Sequence, residues 1–184
     1  MKGIRLLTLL FSLVCLLTAG CATQVQKPTA SVTNMTLGEV TPQGFTMNFE
    51  VDVENPNPMA LPVADVDYKL RLVGRDFLDG KADPDASIPA RGSMPVVLPV
   101  RVTFENLLAI SDGIRRSGGD VPFELDAGLE FGGGMPLLSE PVRVPVRYSG
   151  TLPVRQLLKD PAVLLRSSAA RDLAEQLIGG MFRR

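Results

Sequence analysis

Few side chains in this 184-residue chain could carry chemistry. It has no histidine, which excludes Ser-His and Cys-His nucleophile pairs and most zinc sites. Asp52 and Glu54 lie two residues apart and could act as an acid–base pair, but a simple alternation of polar and apolar residues also accounts for them. A loop of four carboxylates could offer oxygen ligands to calcium: Asp76, Asp79, Asp83 and Asp85. Its spacing matches no EF-hand, so a solvated turn is favoured.

Two further motifs favour a structural interpretation. Gly132-Gly133-Gly134 lacks the Lys-Ser/Thr of a P-loop and the helix start of a dinucleotide site, so it predicts a loop connection. Arg115-Arg116 is typical of a solvated helix end, with anion binding as the alternative. We therefore expect no catalytic residue, cofactor, metal ion or small-molecule substrate, and the protein is not expected to be an enzyme.

Cys21 is the exception, because it follows a predicted export signal. Lys2 and Arg5 precede an apolar run over Leu6–Thr18 that is short for a membrane span. The ending Leu17-Thr18-Ala19-Gly20-Cys21 resembles a bacterial lipobox, in which cleavage before the cysteine leaves that residue to carry lipid. The alternative is an ordinary secretory signal with a nearby cysteine.

Cysteine and charge counts agree with a lipid anchor. Cys15 would leave with the signal, so Cys21 would have no disulfide partner. By resemblance to Gram-negative lipoproteins, Ala22 as the next residue favours the outer membrane, facing the periplasm. The net charge of −1 becomes −3 once residues 1–20 and their two basic side chains are removed. Nucleic acid is therefore an unexpected partner, and the membrane is contacted through the lipid.

The elements around these residues are organised by Phe45–Val63. Five apolar residues alternate with five polar ones before Asn55-Pro56-Asn57-Pro58, which predicts a half-buried strand that ends at a rigid corner. Asparagine side chains close Asx turns, so Asn55 and Asn57 are expected to hold the corner, with partner contact as the alternative. Leucine at either position would lose that bond and expose an apolar side chain. The strand is expected to resume at Met59–Val63.

The same alternation predicts six more strands, which lie at Val32–Val40, Val66–Leu72, Asp76–Ala82, Met94–Phe104, Val121–Phe131 and Val142–Tyr148. Seven short strands separated by Pro/Gly turns favour an all-β sandwich of immunoglobulin or fibronectin-III type. A six-stranded barrel is the competing architecture. Pro95 and Pro99 indicate that their strand has an open edge.

Helical periodicity appears in three places. Glu105–Ser117 predicts a short helix that ends at Gly118-Gly119, and Leu152–Lys159 a connecting helix. Asp160 and Pro161 can begin a last helix, ended by Gly179-Gly180. Its apolar stripe is Ala162, Leu165, Ala169, Leu173 and Leu177. We expect this helix to dock on the sandwich rather than on a membrane or partner. The predicted organisation is a signal peptide at 1–20, a lipidated tether at 21–31, a sandwich at 32–152 and a helical tail at 153–184.

A family resemblance rests on VENPNPMALPVADVDYKLRLVGRDFLDGKA (53–82) followed by SIPARGSMPVVLPVRVTF (87–104). Asn55-Pro56-Asn57, the tyrosine-bearing strand Val66–Leu72 and the turn Ile88–Ser93 resemble the WHy domain of late-embryogenesis-abundant (LEA) group 2 proteins. The resemblance covers Val32–Gly150 and implies a seven-stranded sandwich.

The resemblance also implies a function. Members are linked to desiccation, cold and hypersensitive responses and are proposed to protect other proteins. This chain is thus expected to be a lipid-anchored envelope protein that protects client proteins by non-catalytic binding. The alternative is an envelope adaptor that docks one protein partner through a sheet edge.

We predict that Cys21→Ser blocks lipid attachment, because serine lacks the thiol to which the lipid is added. The variant should accumulate as unprocessed precursor or release a lipid-free domain. Mass spectrometry of the mature protein measures this, and an unmodified Cys21 in the wild-type chain would contradict the prediction.

Overall fold

The computed structural model describes residues 26–118, 120–132, 141–159 and 167–178. Within these residues the strands are β1 (Thr29–Val40), β2 (Gly44–Asn55), β3 (Leu61–Leu72), β4 (Arg75–Ala82), β5 (Ser87–Ile88), β6 (Gly92–Thr103), β7 (Val121–Phe131) and β8 (Val142–Leu152). The helices are α1 (Phe104–Ala109), α2 (Ser111–Arg116), α3 (Val154–Leu157) and α4 (Ser168–Ile178).

Two antiparallel sheets form an open sandwich. One has the strand order β1-β2-β6 and the other β4-β3-β7-β8, with the two-residue β5 beside β3. Their inner faces share one apolar core, in which the Phe49 ring lies 5.8 Å from that of Phe123 and 6.0 Å from that of Tyr148. This confirms the predicted all-β sandwich over the barrel.

The organising strand is β2, as predicted. It lies between β1 and β6 in its sheet. Met47, Phe49, Val51 and Val53 are fully buried or nearly so, and the polar residues between them point to the other face. β2 ends at Asn55, where the sequence places the corner.

Three strand predictions need correction. β1 begins at Thr29, so the predicted start at Val32 is three residues late. β3 is one continuous strand rather than two, and only a bulge at Ala64 interrupts its register with β7. The short β5 was not predicted, because two residues carry no periodicity. β5 is defined by its pairing with β3, which a local sequence pattern does not show.

β6 has the predicted open edge. Within the described residues it pairs only with β2. The Phe104 N–H donates to Gln43 O across this pair. Antiparallel strands alternate between inward and outward backbone groups, so Pro95 and Pro99, of opposite parity to Phe104, face the free side. Their missing N–H groups cost β2 no hydrogen bond.

The predicted helix over Glu105–Ser117 is two helices. The Thr103 hydroxyl accepts from Asn106 N and caps α1, and the chain leaves helical geometry at Ile110 before α2. Gly118 follows α2 with φ of +77°, which glycine adopts without strain. A turn that buries both Leu107 and Ile114 required the break.

The C-terminal helix docks on the sandwich, as favoured by the sequence. α4 lies against α1 and α2 and buries Ala170, Leu173, Ala174 and Leu177. The Ser167 hydroxyl accepts from Ala170 N at 3.1 Å and caps its start. The predicted cap at Asp160 and Pro161 lies outside the described residues. The connecting helix is α3, shorter than expected.

We predict that Leu173→Ala lowers the free energy of unfolding by about 2–4 kcal/mol, because it leaves a cavity between α4 and the paired helices. Chemical denaturation measures the change. Gln176→Ala on the exposed side of α4 is the control and should change stability little. Equal effects of both substitutions would show that α4 is not docked in solution.

Candidate functional site

The asparagine corner is held by one buried carboxamide. The Asn55 side chain is fully buried. Its Nδ2 donates to Met59 O at 2.7 Å and to Pro89 O at 3.1 Å, and its Oδ1 accepts from Asn57 N at 2.9 Å. One side chain therefore ties the end of β2 to both the corner and the segment before β6.

The Asn57 side chain forms two hydrogen bonds with the backbone of Gln26, as the backbone of a neighbouring strand would. Asn57 Oδ1 accepts from Gln26 N at 2.7 Å, and Nδ2 donates to Gln26 O at 2.8 Å. Nδ2 also reaches Asn55 Oδ1 at 3.0 Å, and Asn57 O accepts from Arg91 N at 2.8 Å. This clip fixes the chain at Gln26, three residues before β1 begins.

The corner is more deeply built than the sequence suggested. Asn55 and Asn57 are 0% and 1% exposed, so the expectation that leucine would expose an apolar side chain is wrong. Leucine there would instead bury unpaired backbone groups. The structure places both side chains inside the corner, where they are buried and hydrogen-bonded. Pro56, which lies between them, and Pro58, which follows Asn57, are exposed.

The outer face of the larger sheet is a lattice of ion pairs. Acidic side chains on β3, β4 and β7 face basic ones on β3, β4 and β8. The pairs are Arg71 with Asp76, Glu124 and Asp126, Lys69 with Asp76, Lys81 with Asp65, Arg143 with Asp67 and Glu130, and Arg147 with Asp126. A shallow groove of about 550 Å³ crosses this face.

A glycine makes one of these pairs possible. Arg143 lies on β8, and its guanidinium passes over Gly128 on β7 to reach Asp67 on β3. A Cβ at position 128 would lie 2.5 Å from that guanidinium. Gly128 therefore opens the path for an ion pair that spans three strands.

The ion pairs raise the pKa values of their bases. The hydrogen bond that Arg71 donates to Asp76, followed by the one it donates to Glu124, raises the pKa of Arg71, and the Asp65 carboxylate raises the pKa of Lys81. The Asp67 carboxylate raises the pKa of Arg143. A basic group whose pKa is higher in the folded than in the unfolded protein stabilises the fold below its unfolded pKa. It loses that effect as the pH rises through its folded pKa, so these pairs are intact at neutral pH.

Tyr68 lies at the side of this groove. Burial raises the pKa of its phenol, and the charge of Arg101 partly opposes that shift. An acid with a raised folded pKa weakens the fold only above its unfolded value near 10. Tyr68 is therefore a neutral phenol at physiological pH and offers no base.

The other predicted residues lie apart. Asp52 and Glu54 are exposed on the outer face of β2. Asp83 Oδ1 accepts from Asp85 N at 3.1 Å in a local turn, and the described residues contain no group of three or more metal-ligating side chains placed to hold an ion. Arg115 pairs with Asp112 at 2.8 Å.

Some predictions fall outside the described residues. These include Cys21, the signal at 1–20, and Gly133 and Gly134, whereas Gly132 is described with φ of +83°. Among the helices that are described, none has the length and apolar character needed to cross a membrane.

Comparison with known proteins identifies the family. Residues 50–150 match the model of LEA_2, late embryogenesis abundant protein. The chain belongs to this LEA_2 family.

Its relatives agree. The late embryogenesis abundant protein Lea14-A of Gossypium hirsutum is 28% identical over 105 residues, or 57% of this chain and 69% of that protein. The desiccation protectant protein Lea14 homolog of Glycine max is 28% identical over 107 residues, or 58% of this chain and 70% of that protein. The solution structure of At2g46140.1, described as a LEA protein, shares the fold with a TM-score of 0.55, at 23% identity over 83% of this chain and 87% of that one.

Two parts of the site, the clip at Gln26 and the lattice of ion pairs, were not predicted from the sequence. The clip at Gln26 joins residues 31 apart, and it uses backbone atoms that leave no trace in residue type. The lattice did leave a signal. The outward positions of β3 and β7 are rich in Asp and Glu, and those of β8 carry Arg143 and Arg147. Opposite charges on predicted neighbouring strands could have indicated it.

We predict that Asn55→Leu lowers the free energy of unfolding by about 2–4 kcal/mol, because it leaves buried carbonyls at Met59 and Pro89 unpaired. Asn57→Leu should cost less in stability and should release Gln26, so that hydrogen exchange at residue 26 becomes faster. Denaturation and hydrogen exchange measure the two effects. The control is Asn106→Leu, an exposed asparagine in α1. Unchanged midpoints in both corner variants would show that these amides do not hold the fold.

Proposed function

We propose that this LEA_2 protein, of the WHy type, protects envelope proteins during desiccation, cold or other water stress, by non-catalytic binding. The observation that carries the proposal is the family match over 50–150, together with a relative named as a desiccation protectant. The described part of the chain offers no cluster of metal ligands, and its charged face is paired internally. Binding to client surfaces needs neither a metal nor a substrate pocket.

We further propose a lipid anchor at Cys21 in the outer membrane of a bacterial envelope, facing the periplasm. The clip at Gln26 indicates which end of the sandwich such an anchor would bring to the bilayer. Gln26 is the fifth residue after Cys21, and an extended chain of five residue steps spans at most about 17 Å. The corner end of the sandwich would therefore lie close to the bilayer. The end that carries α1, α2 and α4 would lie farther from it, at the other end of strands about 40 Å long.

The surface argues against a hydrophobic binding groove. Among the described residues, the exposed large apolar side chains are Leu37, Val40 and Val97. Val97 is on β6, whereas Leu37 and Val40 are on β1, and β2 lies between those two strands. Scattered exposed apolar side chains are ordinary on a protein surface and do not mark a docking site. Contact with clients is better served by unpaired backbone groups at sheet edges, which meet any extended segment regardless of its sequence.

An envelope adaptor is the second candidate. An edge strand of either sheet, as ordered among the described residues, could also pair with one segment of one partner by β-augmentation. The two functions differ in selectivity: a protective protein serves unrelated clients, whereas an adaptor binds one partner at fixed stoichiometry. Crosslinking in native envelope followed by pull-down separates them.

We predict that the domain, residues 22–184, preserves the activity of unrelated enzymes through freeze–thaw or drying better than an equal mass of an inert protein. The reason is that transient contact with exposed client segments slows association between clients. Residual activity of several client enzymes is the measurement. The inert protein controls for crowding and surface competition. Protection no better than that control, across all clients, would remove the protective function and leave the adaptor.

A further inference from the structure

The two sheets present four edge strands, and they are not equivalent. In the described residues β1 and β6 border one sheet, and β4 and β8 border the other. An added strand needs consecutive outward N–H and C=O groups along a regular edge. Proline, bulges and covering elements each remove that possibility.

Prolines blunt β6 and β8. Pro95 and Pro99 face the free side of β6, as shown above. In the larger sheet, the Val73 N–H donates to Pro122 O, so even-numbered residues of β7 face β3 and odd-numbered ones face β8. Phe123 pairs with Gly150 and Gly128 with Pro145, which places Pro145 on the outward side of β8. Both edges therefore lack donors where an incoming strand needs them.

Bulges interrupt β1. Its register with β2 shifts between Val32 and Asn34 and again between Leu37 and Val40. The regular run between them is only four residues. β1 also lies against β8, across one side of the sandwich. This edge is short and partly covered.

β4 keeps a regular edge beyond one bulge. Its register with β3 shifts at Phe77, and the pairing is unbroken from Leu78 to Ala82. The bond from Val73 to Pro122 makes the odd-numbered residues of β3 beyond the bulge face β7 and the even-numbered ones face β4. Tyr68 pairs with Gly80 and Leu70 with Leu78, so the backbone N–H and C=O groups of Leu78 and Gly80 point toward β3. Asp79 and Lys81 therefore direct their N–H and C=O groups away from the sheet.

The side chains beside this edge define what would bind. Leu78 is partly buried against the core, and the Tyr68 phenol lies over Gly80, where a Cβ would be 2.6 Å from the hydroxyl. On the other face, Asp79 and Lys81 are exposed. An added strand would meet apolar groups on one face and charges on the other.

We propose that Leu78–Ala82 of β4 is the edge that binds an extended client segment with alternating apolar and polar residues. A strand that is half-buried in its native protein has this alternating pattern, and it becomes accessible when that protein loses structure. Such a client fits the family's stress role. The proposal rests on the protective function proposed above. β4 serves as the template, the client supplies the donors and acceptors, and no bond is made or broken.

The test is hydrogen–deuterium exchange of the full chain in detergent micelles, with and without a synthetic peptide of ten residues that alternates valine and threonine. We expect the peptide to slow exchange at the Asp79 and Lys81 amides about tenfold or more, since outward edge amides otherwise exchange fast. A peptide with proline at every second position is the negative control. Asp79→Pro removes one outward N–H without touching the β3 ladder, and should abolish the slowing at Lys81, whereas Asp79→Ala should retain it.

Each outcome decides a point. Slowing at β1 or β6 amides instead of β4, or no slowing anywhere, overturns the proposal even if enzymes are protected. Slowing at β4 without enzyme protection supports the edge and contradicts the protective function. If Asp79→Pro does not fold, the position of slowed amides in the wild-type chain still decides. Amides at 79 and 81 that are already slow without peptide, in a chain that sediments as a dimer, would show that a second copy occupies the edge.

Discussion

The corner end of the sandwich depends on one buried carboxamide. Asn55 terminates the central strand of the smaller sheet, and its amide satisfies backbone groups of the corner and of the segment that leads into β6. A buried polar group is stable only when paired, so each partner requires the others in place. Asn57 then extends the network to Gln26. The segment before β1, the corner after β2 and the segment before β6 thus meet at these two side chains.

The rest of the molecule separates apolar and charged chemistry by strand parity. One face of each strand supplies the shared core, while the outer face of the larger sheet carries ion pairs that neutralise one another. Such a surface stays hydrated, and its charges are occupied within the fold. The groups that remain unpaired are backbone N–H and C=O groups on the edge strands. Prolines at positions 95, 99 and 145 reduce the number of N–H donors on two of those strands, β6 and β8. This distribution is why we place binding at an edge rather than on a face.

Membrane attachment and binding are compatible in this geometry. The clip holds the chain next to the corner, so an anchor a few residues earlier would bring that end to the bilayer. β4 borders the larger sheet. It begins at Arg75, which lines a cavity with residues of α2, and runs from there toward the corner end. A client segment in the periplasm could therefore approach the edge without crossing the lipid surface.

The sequence by itself determined the sandwich, the approximate positions of most strands and the place of the corner, because alternation and proline act on residues close to them in the chain. It also determined that α4 has an apolar stripe. Only the tertiary structure decided where these parts meet: the burial of Asn55 and Asn57, the clip at Gln26, the pairing of β5, and the passage of Arg143 over Gly128. These contacts join residues that are distant along the chain, and a polar group can be buried in them only because its hydrogen-bond partner is brought to it by the fold. A local pattern cannot record which distant group will complete the pair.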